Sequence, residues 1–309
     1  MSLMALLDDL VQPFERVDPG AVADLLRDTW GLAAPRLTLL DTERDDTFRV
    51  DHADGTVLAK VAHPLDSAEL LDLQDAALAA AAALPVPRLV PTRDGAASRV
   101  LDGRVVRVLT WLPGSEAGVA RMPLRAGGEL LGRLSRALAG LQHPGADRVL
   151  PWDLARVPEL ADATTDARLS AAIARFAAEV SPVLADAPRQ IVHGDFHPGN
   201  VLVDDSGAIS GVVDFGDVSR TARVCDVGVA LGYLIPDDGP GDAVRAEFLA
   251  GFESVVPLTA EERAIIPGLV VGRQVQRIVI NEELGRRTGR LASAPRLWRL
   301  FDRATEDWA

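Results

Sequence analysis

Three side chains with oxygen donors stand close together in "IVHGDFHPGNVLVDDSGAISGVVDFGD", residues Ile191 to Asp217: Asp195, Asn200 and Asp214. Asp195 and Asn200 lie five positions apart in "HGDFHPGN", where Gly194, Pro198 and Gly199 forbid regular structure. Asn200 leads into the apolar run Val201–Val203. Asp204 to Gly207 then turn the chain, and Ile209–Val213 returns as a second strand ending at Asp214. A hairpin of that length brings Asn200 and Asp214 to one end. An amide oxygen and a carboxylate suit Mg2+, which takes a few protein oxygens and keeps water or phosphate for the rest. Asp195, in the same loop, is placed to accept a proton from a substrate hydroxyl. A base-like aspartate, an asparagine five residues on and a metal-binding Asp-Phe-Gly are what phosphoryl transfer needs. A zinc cluster of His193, Asp195 and His197 is the weaker reading, because alternate residues on an irregular loop need not converge. Asp204 and Asp205 read as turn residues only.

Around this island the pattern divides in two. Asp18-Pro19, then Ala21–Trp30 and Gly31, reads as a capped helix. Arg36 to Ala62 reads as strands with a tight turn at Asp54-Gly55. Asp66-Ser67-Ala68-Glu69 is a capping-box pattern opening an alanine-rich helix to Leu84, stopped by Pro85–Pro87. Gly103–Trp111 is a further strand, with a break at Leu112–Gly114. Beyond it, amphipathic stretches dominate at Glu129–Leu141, Ala167–Leu184, Ala243–Phe252 and Glu261–Gly285, the last opened by a second capping box at Thr259–Glu262. The expected class is α+β: a small β-rich lobe over residues 1–111 and a larger helical lobe over 112–309, with a hinge near Trp111–Gly114.

Composition narrows the function classes. At 48% hydrophobic and 25% charged the chain can bury a sizeable core. A formal charge of −13 disfavours a nucleic-acid backbone or an anionic membrane as partner. The single cysteine, Cys225, rules out an internal disulfide and suggests a reducing compartment. Asp8 and Asp9 replace the basic region that a signal peptide would show, and the most apolar late stretch is broken by Arg273 and Arg277. The expectation is a soluble cytoplasmic protein.

"HGDFHPGN" followed by "VVDFGD" resembles the paired motifs of the aminoglycoside phosphotransferase and choline kinase family, which shares its fold with protein kinases. "RVVRVLTWLPG" resembles that family's hinge, while "DDTFRV" (Asp45–Val50) and "LAGFESVVPLTAEE" (Leu249–Glu262) are similar to the hydroxylysine kinase branch. With "PWDL" (Pro151–Leu154) between them, the likeness runs from Arg36 to about Gly285. It implies a bilobal, protein-kinase-like fold, ATP or GTP as phosphoryl donor, Mg2+, and a small hydroxylated, amine-bearing acceptor. By matching positions, Asp195 is the catalytic base and Asn200 and Asp214 the metal ligands. His193 and His197 support the loop. Asp226 either supports it too or serves as a helix N-cap.

On the nucleotide side, Lys60 is the chain's single lysine. Placed after a hairpin and before a capped helix, it fits the lysine that holds the α- and β-phosphates. Its helix partner is Asp72 or Glu69, with Asp72 fitting the spacing better. The phosphate loop contains no glycine, and Asp41, Glu43, Asp45 and Asp46 crowd it with like charge. Either backbone amides with Thr47 meet the phosphate, or Arg44 folds over it. The hinge segment Leu109–Leu112, which includes Leu109 and Trp111, offers backbone groups to the purine.

An acceptor amine calls for carboxylates and an acceptor carboxylate for arginine. Asp217, Arg273 and Arg277 are the candidates carried forward, the two arginines sharing one helical face. Arg220, Glu282, Glu283 and the loop pair Asp237 and Asp238 stand behind them, and Trp152 reads as core or pocket wall. The resulting expectation is a small-molecule kinase with a hydroxylysine-like acceptor. An aminoglycoside, choline or ethanolamine-type phosphotransferase is the alternative within the family. A non-catalytic nucleotide-binding pseudokinase is the alternative outside it.

Overall fold

The computed structural model describes residues 3–42, 44–236, 241–289 and 295–308. Glu43, Asp237 and Asp238 therefore lie outside the described residues. The chain forms two compact units, one of Gln12–Pro113 and one of Gly114–Ala309 together with Met1–Val11. The first helix, α1 (Leu3–Val11), thus belongs with the large unit and not with the β-rich one. Its Leu3 and Leu7 are buried, and it packs on a late helix of that unit.

In the small unit, α2 (Pro19–Leu25) starts on an Asp18 N-cap that accepts from the Ala21 amide at 3.0 Å. A π-helical turn, Leu26–Trp30, carries it on to Gly31, whose φ of +78° ends the helix in the left-handed conformation. Strands β1 (Arg36–Leu39), β2 (Asp46–His52), β3 (Gly55–Val61), β4 (Arg99–Leu101) and β5 (Arg104–Thr110) form an antiparallel sheet in the order β1-β2-β3-β5-β4. The β2–β3 register pairs His52 with Gly55, so Ala53 and Asp54 make the two-residue turn one position earlier than expected. Phe48, Val50, Ala59, Val61, Val106 and Val108 bury one face of the sheet against Val22, Leu26 and Trp30. Alternation along the strands sets the opposite residues on the other face.

Helix α3 (Ala68–Ala80) is capped by Ser67, not Asp66, and it stops four residues short of Leu84. The shift has a cause. The Asp66 carboxylate is held by Arg44, at 2.9 Å from Nη2, which leaves the Ser67 hydroxyl to accept from the Leu70 amide. Glu69 accordingly closes no capping box. Arg44 in turn bonds to Asp66, where a fold over the phosphate had been the alternative.

The large unit contains the short helix α4 (Gly118–Arg121) and then α5 (Leu124–Leu138), α6 (Ala167–Glu179), α7 (Ser181–Asp186), α8 (Val224–Tyr233), α9 (Gly241–Glu253), α10 (Ala260–Ala264), α11 (Ile266–Thr288) and α12 (Pro295–Asp307). Its strands are β6 (Ser115–Glu116), β7 (Arg189–Val192), β8 (Val201–Val203), β9 (Ile209–Val212) and β10 (Ser219–Ala222). They form a β10-β7 pair and a β6-β8-β9 sheet. The expected Thr259 capping box is present: Thr259 Oγ1 accepts from the Glu262 amide at 3.1 Å, and Glu262 accepts from the Thr259 amide at 2.9 Å.

Two helix contacts depend on glycine. A Cβ on Gly128 of α5 would lie 2.0 Å from the Phe248 carbonyl of α9, and one on Gly251 of α9 2.0 Å from the Arg125 carbonyl. Likewise Gly232 of α8 leaves room for the Arg273 stem, since a Cβ there would lie 2.8 Å from Arg273 Cβ. Phe176, Phe196, Phe248 and Phe252 are fully buried around these helices. Each contributes roughly 2–3 kcal/mol by apolar burial.

Candidate active site

The loop His193–Asn200 starts where β7 ends, and β7 is fixed by antiparallel pairing with β10. Gly194 takes φ +83°, and a Cβ there would sit 2.4 Å from the Asp217 carbonyl, so only glycine passes. Asp226, in the first turn of α8, accepts from the amides of His193 at 3.0 Å and Gly194 at 2.8 Å. The residue at the N-cap is Arg223, so Asp226 braces the loop instead of capping its helix. Burial pushes its carboxyl up, against the two amide bonds.

The two histidines shape the same loop. His193 is fully buried; its Nδ1 accepts from the Asp195 amide at 3.3 Å and its Nε2 meets the Val213 carbonyl at 3.2 Å. Both nitrogens are thus engaged by backbone. His197 Nδ1 accepts from the Gly199 amide at 3.0 Å, which leaves the proton on Nε2, 3.3 Å from Asp195 Oδ2. The His197 ring stacks on Tyr233, at 4.3 Å between centroids and 17°.

Asp195 is held on every side. Its Oδ2 accepts from Asn200 Nδ2 at 3.0 Å, and its main-chain oxygen accepts from the same nitrogen at 2.9 Å. Its Oδ1 accepts from Arg273 Nη2 at 2.9 Å. Burial would raise this carboxyl, but the His197 hydrogen bond and the Arg273 charge outweigh it and hold it at about 2. It is ionised at any physiological pH.

The hairpin delivers Asn200 and Asp214 to one end, as the Val213 amide bonds to the Asn200 carbonyl at 2.9 Å. With its amide nitrogen directed at Asp195, Asn200 has its side-chain oxygen to offer elsewhere. Asp214 is exposed and takes φ +64°, left-handed without being glycine, at a cost on the order of 1 kcal/mol. Its Oδ1 accepts only weakly, from the Gly216 amide at 3.2 Å. Asp217 is half-buried beside both; burial and the charges of Asp195 and Asp214 push its carboxyl up to about 7. Asp204, by contrast, closes its own turn through the Ser206 and Ala208 amides.

Arg273, expected near the acceptor, is turned to Asp195. It is 2% exposed, and its Nη1 also donates to the Trp152 carbonyl at 3.2 Å. Trp152, undecided between core and pocket wall, lies with its ring 5.1 Å under that guanidinium. Arg277, one turn on, lies 4.3 Å over the Tyr233 ring. Tyr233 itself escaped the sequence reading, although it is the chain's single tyrosine and closes α8, the helix that carries Asp226 in its first turn.

In the small unit, Thr47, Lys60 and Arg107 are register partners across β2, β3 and β5 and so share one face of the sheet. Arg107 ties that face to α3, through Asp75 Oδ1 at 2.6 Å and Gln74 Oε1 at 2.7 Å. Lys60 Nζ lies 2.9 Å from Asp45 Oδ2, while Asp72 and Glu69 are both exposed on α3. Thr47 is buried, with its hydroxyl unpartnered. The feared acidic crowding dissolves at Asp46. That carboxylate is buried between Arg16 at 2.8 Å and Arg104 at 2.5 Å, and it faces no open space. Leu109 is buried in β5, where the Thr110 amide is bonded to Arg88, and Trp111 lies under the Arg49 guanidinium at 5.1 Å.

This arrangement matches known proteins along most of its length. The chain is 29% identical to a hydroxylysine kinase of Mus musculus over 298 residues, covering 83% of this chain and 79% of that protein. It is 34% identical to a homoserine kinase of Gluconacetobacter diazotrophicus over 203 residues, 61% of each chain. The fold is shared with a microcompartment-associated aminopropanol kinase (TM-score 0.73, 18% identity, 93% and 94% of the two chains). It is shared also with an amicoumacin kinase (TM-score 0.71, 15% identity, 94% and 93%). No helix among the described residues is long and apolar enough to cross a membrane. Residues 37–265, from β1 through the Asp195 loop and its hairpin to the foot of α11, match the phosphotransferase enzyme family, and the chain belongs to that family.

Proposed function

We propose that this protein transfers the γ-phosphoryl group of ATP or GTP, with Mg2+, to the hydroxyl of a small amine-bearing metabolite of the hydroxylysine type. One observation carries the reading: an ionised Asp195, immobilised by Asn200, His197 and Arg273, beside the exposed Asp214 at one hairpin end.

In this reading Asp195 orients the acceptor hydroxyl and accepts its proton as the oxygen bonds to phosphorus. A carboxyl held near 2 is a weak base, and phosphoryl transfer asks little more of it, because its transition state is loose and proton loss comes late. Asn200 and Asp214 fit Mg2+: one amide oxygen, one exposed carboxylate, and a half-buried neighbour, Asp217, whose raised proton affinity marks a surplus of negative charge. The ion, when bound, would neutralise charge on the phosphates. In the small unit, Lys60 exchanges Asp45 for phosphate oxygens, the buried Thr47 hydroxyl stands on the same sheet face, and Leu109 to Leu112, Trp111 included, receive the purine. The nucleotide and divalent metal in this proposal accord with the amicoumacin kinase, solved with AMP-PNP and Ca2+. The acceptor class accords with the hydroxylysine and homoserine kinases among the relatives.

The test is a thermal-shift panel of ATP and GTP with and without Mg2+, followed by nucleoside diphosphate release on hydroxylysine, homoserine, choline, ethanolamine and aminoglycosides. A Mg2+-dependent shift with turnover on a hydroxylated amino acid supports the reading. Nucleotide binding with no turnover on any acceptor would revive the pseudokinase.

A further inference from the structure

Arg273 and Arg277 occupy the same face of α11 one turn apart, yet their charges meet different fates. Arg273 is neutralised by Asp195. Arg277 is half-buried, donates to the neutral Gln274 at 3.1 Å, and has no carboxylate partner among the described residues. Other buried or half-buried arginines do have one: Arg104 with Asp46, Arg107 with Asp75, Arg223 with Glu262. The groups that face Arg277 are the Tyr233 ring, Gln274, and two further guanidiniums, Arg273 and Arg296. Burial, with those like charges, pulls its proton affinity down. A desolvated cation among cations is costly unless an anion arrives.

The position says which anion. Arg277 lies 4.3 Å over the Tyr233 ring, His197 stacks on that ring at 4.3 Å, and His197 Nε2 meets Asp195 at 3.3 Å. Only two side chains separate the guanidinium from the base. A small acceptor whose hydroxyl sits on Asp195 would have its far end within reach of Arg277 past those two side chains. We propose that Arg277 receives a carboxylate of the acceptor, so that the substrates are hydroxylated amino acids and not carboxylate-free amino alcohols or amino sugars. This rests on the kinase reading above. A guanidinium suits the task, because its fork matches a carboxylate with two parallel bonds and its plane is already fixed on Tyr233.

The experiment compares matched pairs: 5-hydroxylysine with its decarboxylated diamine, and homoserine with 3-amino-1-propanol. For each, kcat/KM is measured from nucleoside diphosphate release by wild type, Arg277→Gln and Arg277→Lys, each confirmed folded by its melting curve. Wild type should favour the carboxylated member by about 100-fold, the worth of a charge-assisted bidentate pair. Arg277→Gln should collapse that ratio, and Arg277→Lys should keep part of it. A wild-type enzyme indifferent to the carboxylate overturns the inference and leaves the kinase standing. So does a Gln variant that loses both members equally. Absence of turnover on all four compounds overturns the kinase reading and this inference with it.

Discussion

Two clusters of carboxylates lie in this molecule, one at the β1–β2 turn of the small unit and one around the Asp195 loop of the large unit. In the first, Asp46 has Arg16 and Arg104 and Asp45 has Lys60, while nearby Asp66 has Arg44. In the second, only Asp195 is neutralised by a fixed guanidinium, Asp214 stays exposed with one long amide contact, and Asp217 is driven towards protonation by its neighbours. The contrast separates acids neutralised within the fold from acids that are not. Sequence alone shows both clusters as equal crowding; the partners tell them apart.

Breaking the second cluster should have the larger effects. Asp195→Asn should lower kcat by about 1,000-fold, within the range of a lost general base, while nucleotide Kd stays within a factor of a few. Near-wild-type turnover would remove Asp195 from the base role. Asp214→Ala should weaken Mg2+-dependent nucleotide binding by about 100-fold, read by calorimetry with and without the metal. Equal affinity in both conditions would mean that the ion sits elsewhere.

Asp217 sharpens the comparison through pH. Its carboxyl holds a proton more tightly in the folded protein than in the unfolded chain. Its contribution to stability is therefore fully favourable below about pH 4, declines as pH rises, and levels off above about 7. For the metal-free protein, Asp217→Asn should remove a pH-dependent loss on the order of 4 kcal/mol between those limits, seen in denaturant midpoints. A variant whose midpoints track the wild type across that range would contradict the crowding. The smallest effect belongs to the first cluster. Asp45→Asn frees Lys60 from a partly exposed pair worth about 0.5–1 kcal/mol, so nucleotide should bind a few-fold tighter, not weaker.

How much of this was legible in the sequence follows from distance along the chain. The Asp195 loop, its hairpin and the aspartate after it are contiguous, so spacing alone brought Asn200 to Asp214. At Asp226 the sequence leaves two options, loop support and helix cap, and its bonds to the His193 and Gly194 amides appear only in the fold. What stayed hidden depends on packing between distant elements. Arg273 reaches Asp195 across 78 positions because Gly232 clears its stem, and Asp46 finds Arg104 across 58. Neither leaves a local pattern. The α3 cap slipped by one residue for the same reason, since Arg44 claims Asp66 from 22 positions away. Helix α1 looked like the start of the small lobe only because it comes first.

The solitary lysine has a practical side. Every other basic residue is arginine or histidine, so apart from any free N-terminus the protein carries one amine, and that amine faces Asp45. Grown on isotope-labelled lysine, the protein would give one side-chain ammonium signal in an otherwise silent spectrum. That signal would report, without any introduced probe, any ligand that displaces the carboxylate.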